Sequence, residues 1–134
     1  NARPGGHTST EILGEDDMPF WVRLIRFTDE GVKRLRDDLR ETVGRTKSVI
    51  EENEGKLVAA FATQGSYDII SVIEAPDQSQ MDAIDKLLKN QRLYTAKTLT
   101  AIPLDTFVEA LSADANFGVF LEQWYGKRPG AGGR

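Results

Sequence analysis

The residues best suited to chemistry include a tyrosine and a carboxylate beside a predicted turn. Tyr67 and Asp68 follow Gly65, and such a pair can serve as hydrogen-bond donor and as acid or base. Consecutive residues of a strand point to opposite faces of the sheet, so both side chains line one pocket only if a bulge intervenes. The alternative is structural: Gly65 permits the turn, Asp68 accepts hydrogen bonds from backbone amides, and Tyr67 packs with its hydroxyl satisfied. We prefer this structural interpretation.

Two arginines interrupt an apolar run, FWVRLIRF, at residues 20–27. A charge in such a strand is costly to bury without a partner. One of Arg23 and Arg26 can bind an anionic ligand in a cavity, while the other lies near a sheet edge or pairs with an acid such as Glu74. Plain ion pairs and solvated edges are the simpler alternative. With Thr98 as a further polar group, the candidate pocket consists of Arg23, Tyr67, Asp68 and Thr98.

Metal and triad chemistry are disfavoured by composition. The chain has no cysteine, and His7 is its one histidine. A metal site at His7 would need several nearby carboxylates to converge, and nothing in the sequence enforces that geometry. No nucleophile elbow and no Gly-Lys-Ser/Thr phosphate loop is present. We therefore assign no catalytic residue, no metal and no cofactor.

Length and charge narrow the class further. The chain has 134 residues, enough for one domain, and a formal charge of −4 without a basic cluster, which argues against nucleic acid as a partner. No apolar run approaches the roughly 20 residues that span a bilayer. The absence of a signal-peptide core and of cysteine predicts a cytoplasmic protein.

The first half of the chain predicts a strand and then a helix. After the strand Phe20–Phe27, Thr28 or Asp29 can cap a helix whose apolar residues recur at steps of three and four. Gly44 is expected to bend or break this helix, and Gly55 to end it. The apolar stripe consists of Val32, Leu35, Leu39, Val43, Thr46 and Ile50.

A hairpin follows at residues 56–75, with its turn at Gln64-Gly65-Ser66. Strict alternation places Leu57, Ala59 and Phe61 on one face of its first strand. Both faces of the hairpin are largely apolar, whereas a half-solvated hairpin would carry polar residues on one side. We therefore expect helices of the chain to cover one face and another subunit to cover the other.

The remaining elements complete a known pattern. Asp77 or Ser79 can cap a second helix, with Met81, Ile84, Leu87 and Leu88 as its apolar face, before a strand at 94–102 and a short helix from Asp105. The order β-α-β-β-α-β predicts an α+β, ferredoxin-like fold with a four-stranded antiparallel sheet.

Two extensions flank this unit. Residues 1–17 have the composition of an extended arm, the folded domain is expected at 18–112, and residues 113–134 form a helix and a tail. The helix places Phe117, Phe120, Leu121 and Trp124 on one stripe. A helix this short is marginal alone, so the stripe docks either on its own chain or in a groove of a partner protein.

The hairpin resembles the GYD domain family, with Gly65-Ser66-Tyr67-Asp68 in the place of its signature. Supporting matches are residues 27–32, the corner at 74–77 and the Thr98-Leu99 pair, so that the resemblance covers about residues 18–111. It implies a dimeric α/β barrel in which two four-stranded sheets face each other. The tails and Asn90-Gln91, where a glycine-containing turn is expected, depart from the family pattern.

Two functions follow as hypotheses. The first is a non-catalytic accessory subunit, a homodimer or larger homo-oligomer that binds partner chains in a complex through its sheet face and extensions. The second is a small-molecule-binding or cofactor-free catalytic barrel with a polar pocket between sheets. The lack of a catalytic constellation favours the first.

Overall fold

A computed structural model of the chain describes residues 19–112 and 117–126. The predicted arm at 1–17 lies outside the described residues, as do 113–116 and 127–134. In chain order the elements are β1 (Phe20–Phe27), α1 (Asp29–Lys33), α2 (Leu35–Glu52), β2 (Lys56–Ala62), β3 (Ile69–Glu74), α3 (Gln78–Leu88), β4 (Tyr94–Ala101), α4 (Leu104–Ser112) and α5 (Phe117–Tyr125).

The four strands form one antiparallel sheet in the order β2-β3-β1-β4. β1 is central and pairs with β3 on one side and with β4 on the other. This order, with helices between β1 and β2 and between β3 and β4, is that of the split βαβ fold. The predicted α+β, ferredoxin-like class is confirmed.

The face of the sheet that packs against α2 and α3, here called the inner face, carries the core. Burial alternates along β1, where Trp21, Arg23 and Ile25 are buried and the residues between them are only partly so. The core cluster joins this face to both helices through Trp21, Val49, Ile50, Ile73, Ala75, Met81, Ile84 and Leu88. Apolar burial on this face is therefore the main source of stability for the unit.

The opposite face, here called the outer face, is also apolar. Phe61 is 59% exposed and Leu99 44% exposed. By register, these residues share the face with the partly exposed side chains of Phe20, Val22, Leu24, Ile70 and Val72. The prediction that both faces of the hairpin are largely apolar therefore holds for β2 and β3. Charged residues stand at the margins of the outer face, namely Arg26, Lys56, Glu74 and Lys97.

The facing predicted for β2 is wrong in one respect. Leu57 pairs with Ile73, but the register shifts between Leu57 and Ala59, so that Ala59 pairs with Val72 and Phe61 with Ile70. A bulge inserts one residue and reverses the alternation beyond it. Leu57 consequently belongs to the inner face, whereas Ala59 and Phe61 belong to the outer face.

The first helical segment is interrupted earlier than the sequence suggests. Thr28 caps α1 by accepting a hydrogen bond from the Gly31 amide, as predicted. The break lies at Arg34, and α2 continues through Gly44 without interruption, so no break occurs at Gly44. Glycine only weakens a helix, and the rest of α2 is favourable enough to bridge it.

Several residues of the predicted stripes are not buried. Val32 on α1 is 54% exposed. Val43 on α2 is 50% exposed, because α2 buries only Val49 and Ile50 near its end. In α3, which Asp77 caps through the Gln80 amide, Leu87 is 50% exposed while Met81, Ile84 and Leu88 are buried. The predicted stripes therefore overstate the contact area of these helices.

Gly31 is required by a close approach between α1 and the segment before β4. A Cβ atom at Gly31 would lie 2.0 Å from the carbonyl oxygen of Leu93. The same segment is held by Thr28, whose amide donates to Leu93 O at 3.0 Å and whose hydroxyl donates to Arg92 O at 2.6 Å. The turn after β1 thus anchors the start of β4.

Residues 20–101 form one compact unit, and the other described residues belong to a second. In the second unit, the rings of Phe107 in α4 and Trp124 in α5 meet edge to face with centroids 6.0 Å apart. Within residues 19–112 and 117–126, no helix is both long and apolar enough to cross a membrane.

Candidate functional site

A buried charge cluster lies on the inner face, where β1, α3 and β4 meet. Arg23 is 2% exposed, and its Nε donates to Asp85 Oδ1 at 3.0 Å. The same oxygen accepts a hydrogen bond from the Thr98 hydroxyl at 2.9 Å. Asp85 belongs to α3, and its side chain is 33% exposed. Arg23 and Thr98, adjacent in the register of β1 and β4, are therefore brought together by a carboxylate.

Tyr94 forms one wall of this cluster. Its ring lies under the Arg23 guanidinium, with 5.9 Å from the central carbon to the ring centroid, within reach of a cation–π interaction. The Tyr94 hydroxyl donates to the carbonyl of Leu88, the last residue of α3. Because Tyr94 is buried and bonded at its polar end, the guanidinium rests on a fixed surface.

A cavity of about 300 Å³ opens beside the cluster. It lies between the end of α3 and β4, and residues of the intervening segment help to line it. Its lining includes Arg23, Asp85, Lys89, Asn90, Tyr94 and Thr98. Two cations and one carboxylate leave this lining with a net formal charge of +1. The arrangement suits a small ligand that accepts hydrogen bonds and carries negative charge.

A smaller, apolar cavity of about 70 Å³ also reaches Arg23. It lies between the first half of α2 and the inner face, lined among others by Leu39, Val43, Leu57 and Ile69. It marks the part of α2 where the helix covers the sheet loosely. Its apolar lining shields the guanidinium from solvent and so strengthens the pairing of Arg23 with charged groups.

Tyr67 and Asp68 do not join this cluster in the described contacts. Asp68 Oδ2 accepts a hydrogen bond from the Phe27 amide at 2.8 Å, and the Asp68 amide donates to Ile25 O at 2.7 Å. The Tyr67 carbonyl accepts from the Thr63 hydroxyl at 2.6 Å. These bonds tie the hairpin turn to the end of β1. Of the four candidate pocket residues, the structure thus brings together Arg23 and Thr98 alone. Both lie on the inner face under α3, so the expectation that their pocket lies between two facing sheets is wrong.

Sequence reasoning missed Asp85, the residue that organises the cluster. A signal was available, because Asp85 stands four residues after Met81 and three before Leu88, both buried. An acid between two apolar positions of one helical stripe faces the protein and needs a partner. Arg23, the intruding cation of β1, is that partner. Asn90, noted only as a departure from a family pattern, lines the cavity.

The remaining candidate residues lie elsewhere. In α5, Trp124 packs on Phe107 and Leu121 is half-buried, while the side chains of Phe117 and Phe120 lie outside what the structure describes. His7 also lies outside the described residues. Among 19–112 and 117–126, no three or more His, Cys, Asp or Glu side chains converge as a metal site would require.

Comparison with known proteins places these features in a family. Residues 21–111 match the GYD domain, a span that includes the sheet, Arg23, Asp85 and Thr98. A curated relative from Thermus thermophilus is 28% identical over 95 residues, which cover 70% of this chain and 99% of the relative. That relative is named glutamine synthetase and cystathionine beta-lyase binding protein. The chain belongs to the GYD domain family.

Proposed function

We propose that this protein is an accessory subunit that pairs with a second copy through its outer face and binds other proteins. The outer face is the observation that carries the proposal. On a solvated antiparallel sheet this face would be polar, yet here Phe61 and Leu99 are exposed beside Val22, Leu24 and Val72. An exposed apolar patch of this kind is typical of an interaction surface.

A second copy is the occupant that the face itself favours. Arg26 and Glu74 lie at opposite ends of the outer face, by the register of β1. A twofold axis perpendicular to the strands would bring Arg26 of one copy over Glu74 of the other, with the apolar centres stacked between them. The arrangement is that of a dimeric α/β barrel, the architecture that the family resemblance implies.

Native mass tests the pairing. Light scattering on the full chain is expected to give about twice the chain mass of 14.9 kDa. Phe61→Glu, which places a carboxylate within the apolar contact, is expected to give the single-chain mass. Val32→Glu is the matched control, because Val32 is similarly exposed but lies on α1; its mass should not change. A wild-type protein that stays a single chain at high concentration overturns the pairing.

Binding to other proteins is supported by the relative's name, which describes a protein that binds two enzymes. We extend to this chain the general role of binding an enzyme. Calorimetric titration tests whether this chain binds the same two enzymes. The chain is titrated against purified glutamine synthetase and cystathionine beta-lyase from its own organism. Saturable binding of either enzyme supports the accessory role. If neither titration gives a heat of binding, these two enzymes are not partners of this chain.

A second candidate function is small-molecule binding, and the cavity beside Arg23 favours it specifically. This function is compatible with the accessory role, since a ligand held on the inner face leaves the outer face available for pairing.

A further inference from the structure

We propose that the cavity between α3 and β4 is a binding site for the carboxylate group of a small polar acid, with Arg23 as its principal ligand-binding residue. The inference deepens the second candidate function and rests on it, but it does not depend on pairing through the outer face.

The hydrogen-bonding capacity of Arg23 is only partly used. A guanidinium has five N–H donors, and the described contacts engage Nε alone, with Asp85 Oδ1. No hydrogen bond joins Nη1 or Nη2 to residues 19–112 or 117–126. Across these residues, Trp21 Nε1 is the one fully buried side-chain nitrogen or oxygen without a partner. Nη1 and Nη2 therefore keep some accessible surface, although the side chain as a whole is only 2% exposed.

Arg23 lines both the polar cavity between α3 and β4 and the smaller apolar cavity under α2. Only the polar cavity offers a further cation, Lys89, and amide groups to an anionic ligand. The Tyr94 ring lies 5.9 Å from the central carbon of the guanidinium and forms one wall beside it. An arginine and a carboxylate can join through two parallel N–H bonds. Here Asp85 binds the side of the guanidinium through Nε, and the end with two terminal nitrogens remains for a planar acceptor.

The charge of the lining favours a carboxylate over a phosphate. Arg23 and Lys89 outweigh Asp85 by one positive charge, which a single carboxylate neutralises. A phosphate with two negative charges would leave an excess negative charge beside Asp85, since an opposite charge stabilises an ion and a like charge destabilises it. Asp85 Oδ1 accepts hydrogen bonds from Arg23 and Thr98. These bonds compensate much of the Asp85 charge, so that it does not prevent a single carboxylate from binding nearby.

The size and polarity of the cavity define the rest of the ligand. About 300 Å³ is at the lower end of small-molecule pockets, and suits an acid of a few carbon atoms. Asn90 and Gln91 add amide groups to the lining. These groups favour a hydroxy, oxo or amino acid over a purely aliphatic one.

Lactate and lactamide provide a matched pair of probes, equal in size and differing in charge. In titrations followed by backbone amide NMR of the full-length protein, lactate is expected to shift the signals of Gln91 and Thr98 in a saturable way, and lactamide is not. Pyruvate and L-alanine test the oxo and amino acids, and inorganic phosphate tests the alternative anion. Probes are taken to about 10 mM, which saturates a site with a Kd near 1 mM.

Two variants assign the binding to this cavity. Lys89→Gln removes one cation from the lining and should weaken carboxylate binding about two- to fivefold, as for a partly exposed ion pair. Lys86→Gln, in the last turn of α3 and three residues before Lys89, is the matched control, because Lys86 is exposed and does not line the cavity. Arg23→Gln should weaken binding at least about tenfold. If Arg23→Gln does not fold, Lys89→Gln and the comparison of lactate with lactamide still test whether the cavity binds a carboxylate.

Saturable shifts with at least one of the three carboxylates, reduced by Lys89→Gln and not by Lys86→Gln, support the proposal. Absence of shifts with all three carboxylates, equal binding of lactamide, or tighter binding of phosphate overturns it. The titrations are repeated on Phe61→Glu, which should bind as the wild type does. A failure of pairing and a failure of ligand binding are thereby distinguished.

Discussion

The inner and outer faces of the sheet are built from similar residues and differ in what they contact. On β3, Ile73 on the inner face is fully buried, whereas Ile70 on the outer face is only partly so. On β1, Arg23 on the inner face is buried and paired, and Arg26 on the outer face is exposed. Apolar character alone therefore does not show which face forms the core. The contacts of α2 and α3 decide it, and they leave the outer face available for assembly.

The largest expected effect separates the two isoleucines of β3. Ile73→Ala should lower the free energy of unfolding by about 3 kcal/mol, because a fully buried side chain leaves a cavity when it is truncated. Ile70→Ala, the same substitution on the outer face, should cost about 1 kcal/mol or less in the monomer. Urea denaturation at low protein concentration measures both. Equal losses would contradict the division into a packed face and an available face.

The two arginines of β1 give the next contrast. Arg23→Gln should destabilise the protein by about 2 kcal/mol, because the Asp85 carboxylate loses its cationic partner and keeps only the hydrogen bond from Thr98 among the described contacts. The value is below that of a fully buried pair, since Asp85 is 33% exposed and water can compensate it. Arg26→Gln should change stability by less than about 0.5 kcal/mol. Thermal and urea unfolding measure the stability of both variants. A loss of stability in Arg26→Gln larger than in Arg23→Gln would show that Arg26 makes a charge contact on the outer face.

A smaller effect is expected at the turn between β2 and β3. Asp68→Ala removes the acceptor for the Phe27 amide and should cost about 1 to 2 kcal/mol, because a hydrogen bond to a charged group is lost. Asp68→Asn retains an acceptor oxygen and should lose less. Hydrogen exchange of the Phe27 amide gives a local readout, with faster exchange expected in Asp68→Ala. Unchanged exchange there would mean that the bond does not protect the end of β1.

The sequence predicted most of this fold because its signals are local. The capping residues Thr28 and Asp77 and the alternation along β1 depend on neighbours within a few residues, and each is confirmed. The bulge after Leu57 was missed because it adds one residue to an otherwise regular run. The exposure of Val43 was missed because periodicity shows which side of α2 is apolar, not how closely that side approaches the sheet.

The candidate site was only partly accessible to sequence reasoning. Arg23 and Thr98 were recognised as polar groups in apolar strands, and the structure brings them together. Asp85 lies 62 residues from Arg23 along the chain, and only the packing of α3 on β1 and β4 joins them. Tyr67 and Asp68 drew attention by their side-chain chemistry, yet the bonds described for them are those of a turn. The pairing of groups distant in sequence depends on the fold, and the residue types alone do not specify it.

The smallest effect on the monomer is the sharpest test of the outer face. Val72→Thr and Val32→Thr exchange a methyl group for a hydroxyl at nearly constant volume, the first on the outer face and the second on the exposed side of α1. Both should change monomer stability by about 0.5 kcal/mol or less. If the outer faces of two copies pair, the melting temperature of wild type rises with protein concentration by mass action. Val72→Thr should reduce that rise, because it places a hydroxyl in an apolar contact, and Val32→Thr should leave it intact. A melting temperature independent of concentration in all three proteins would show that the outer face is stable in water without a second copy.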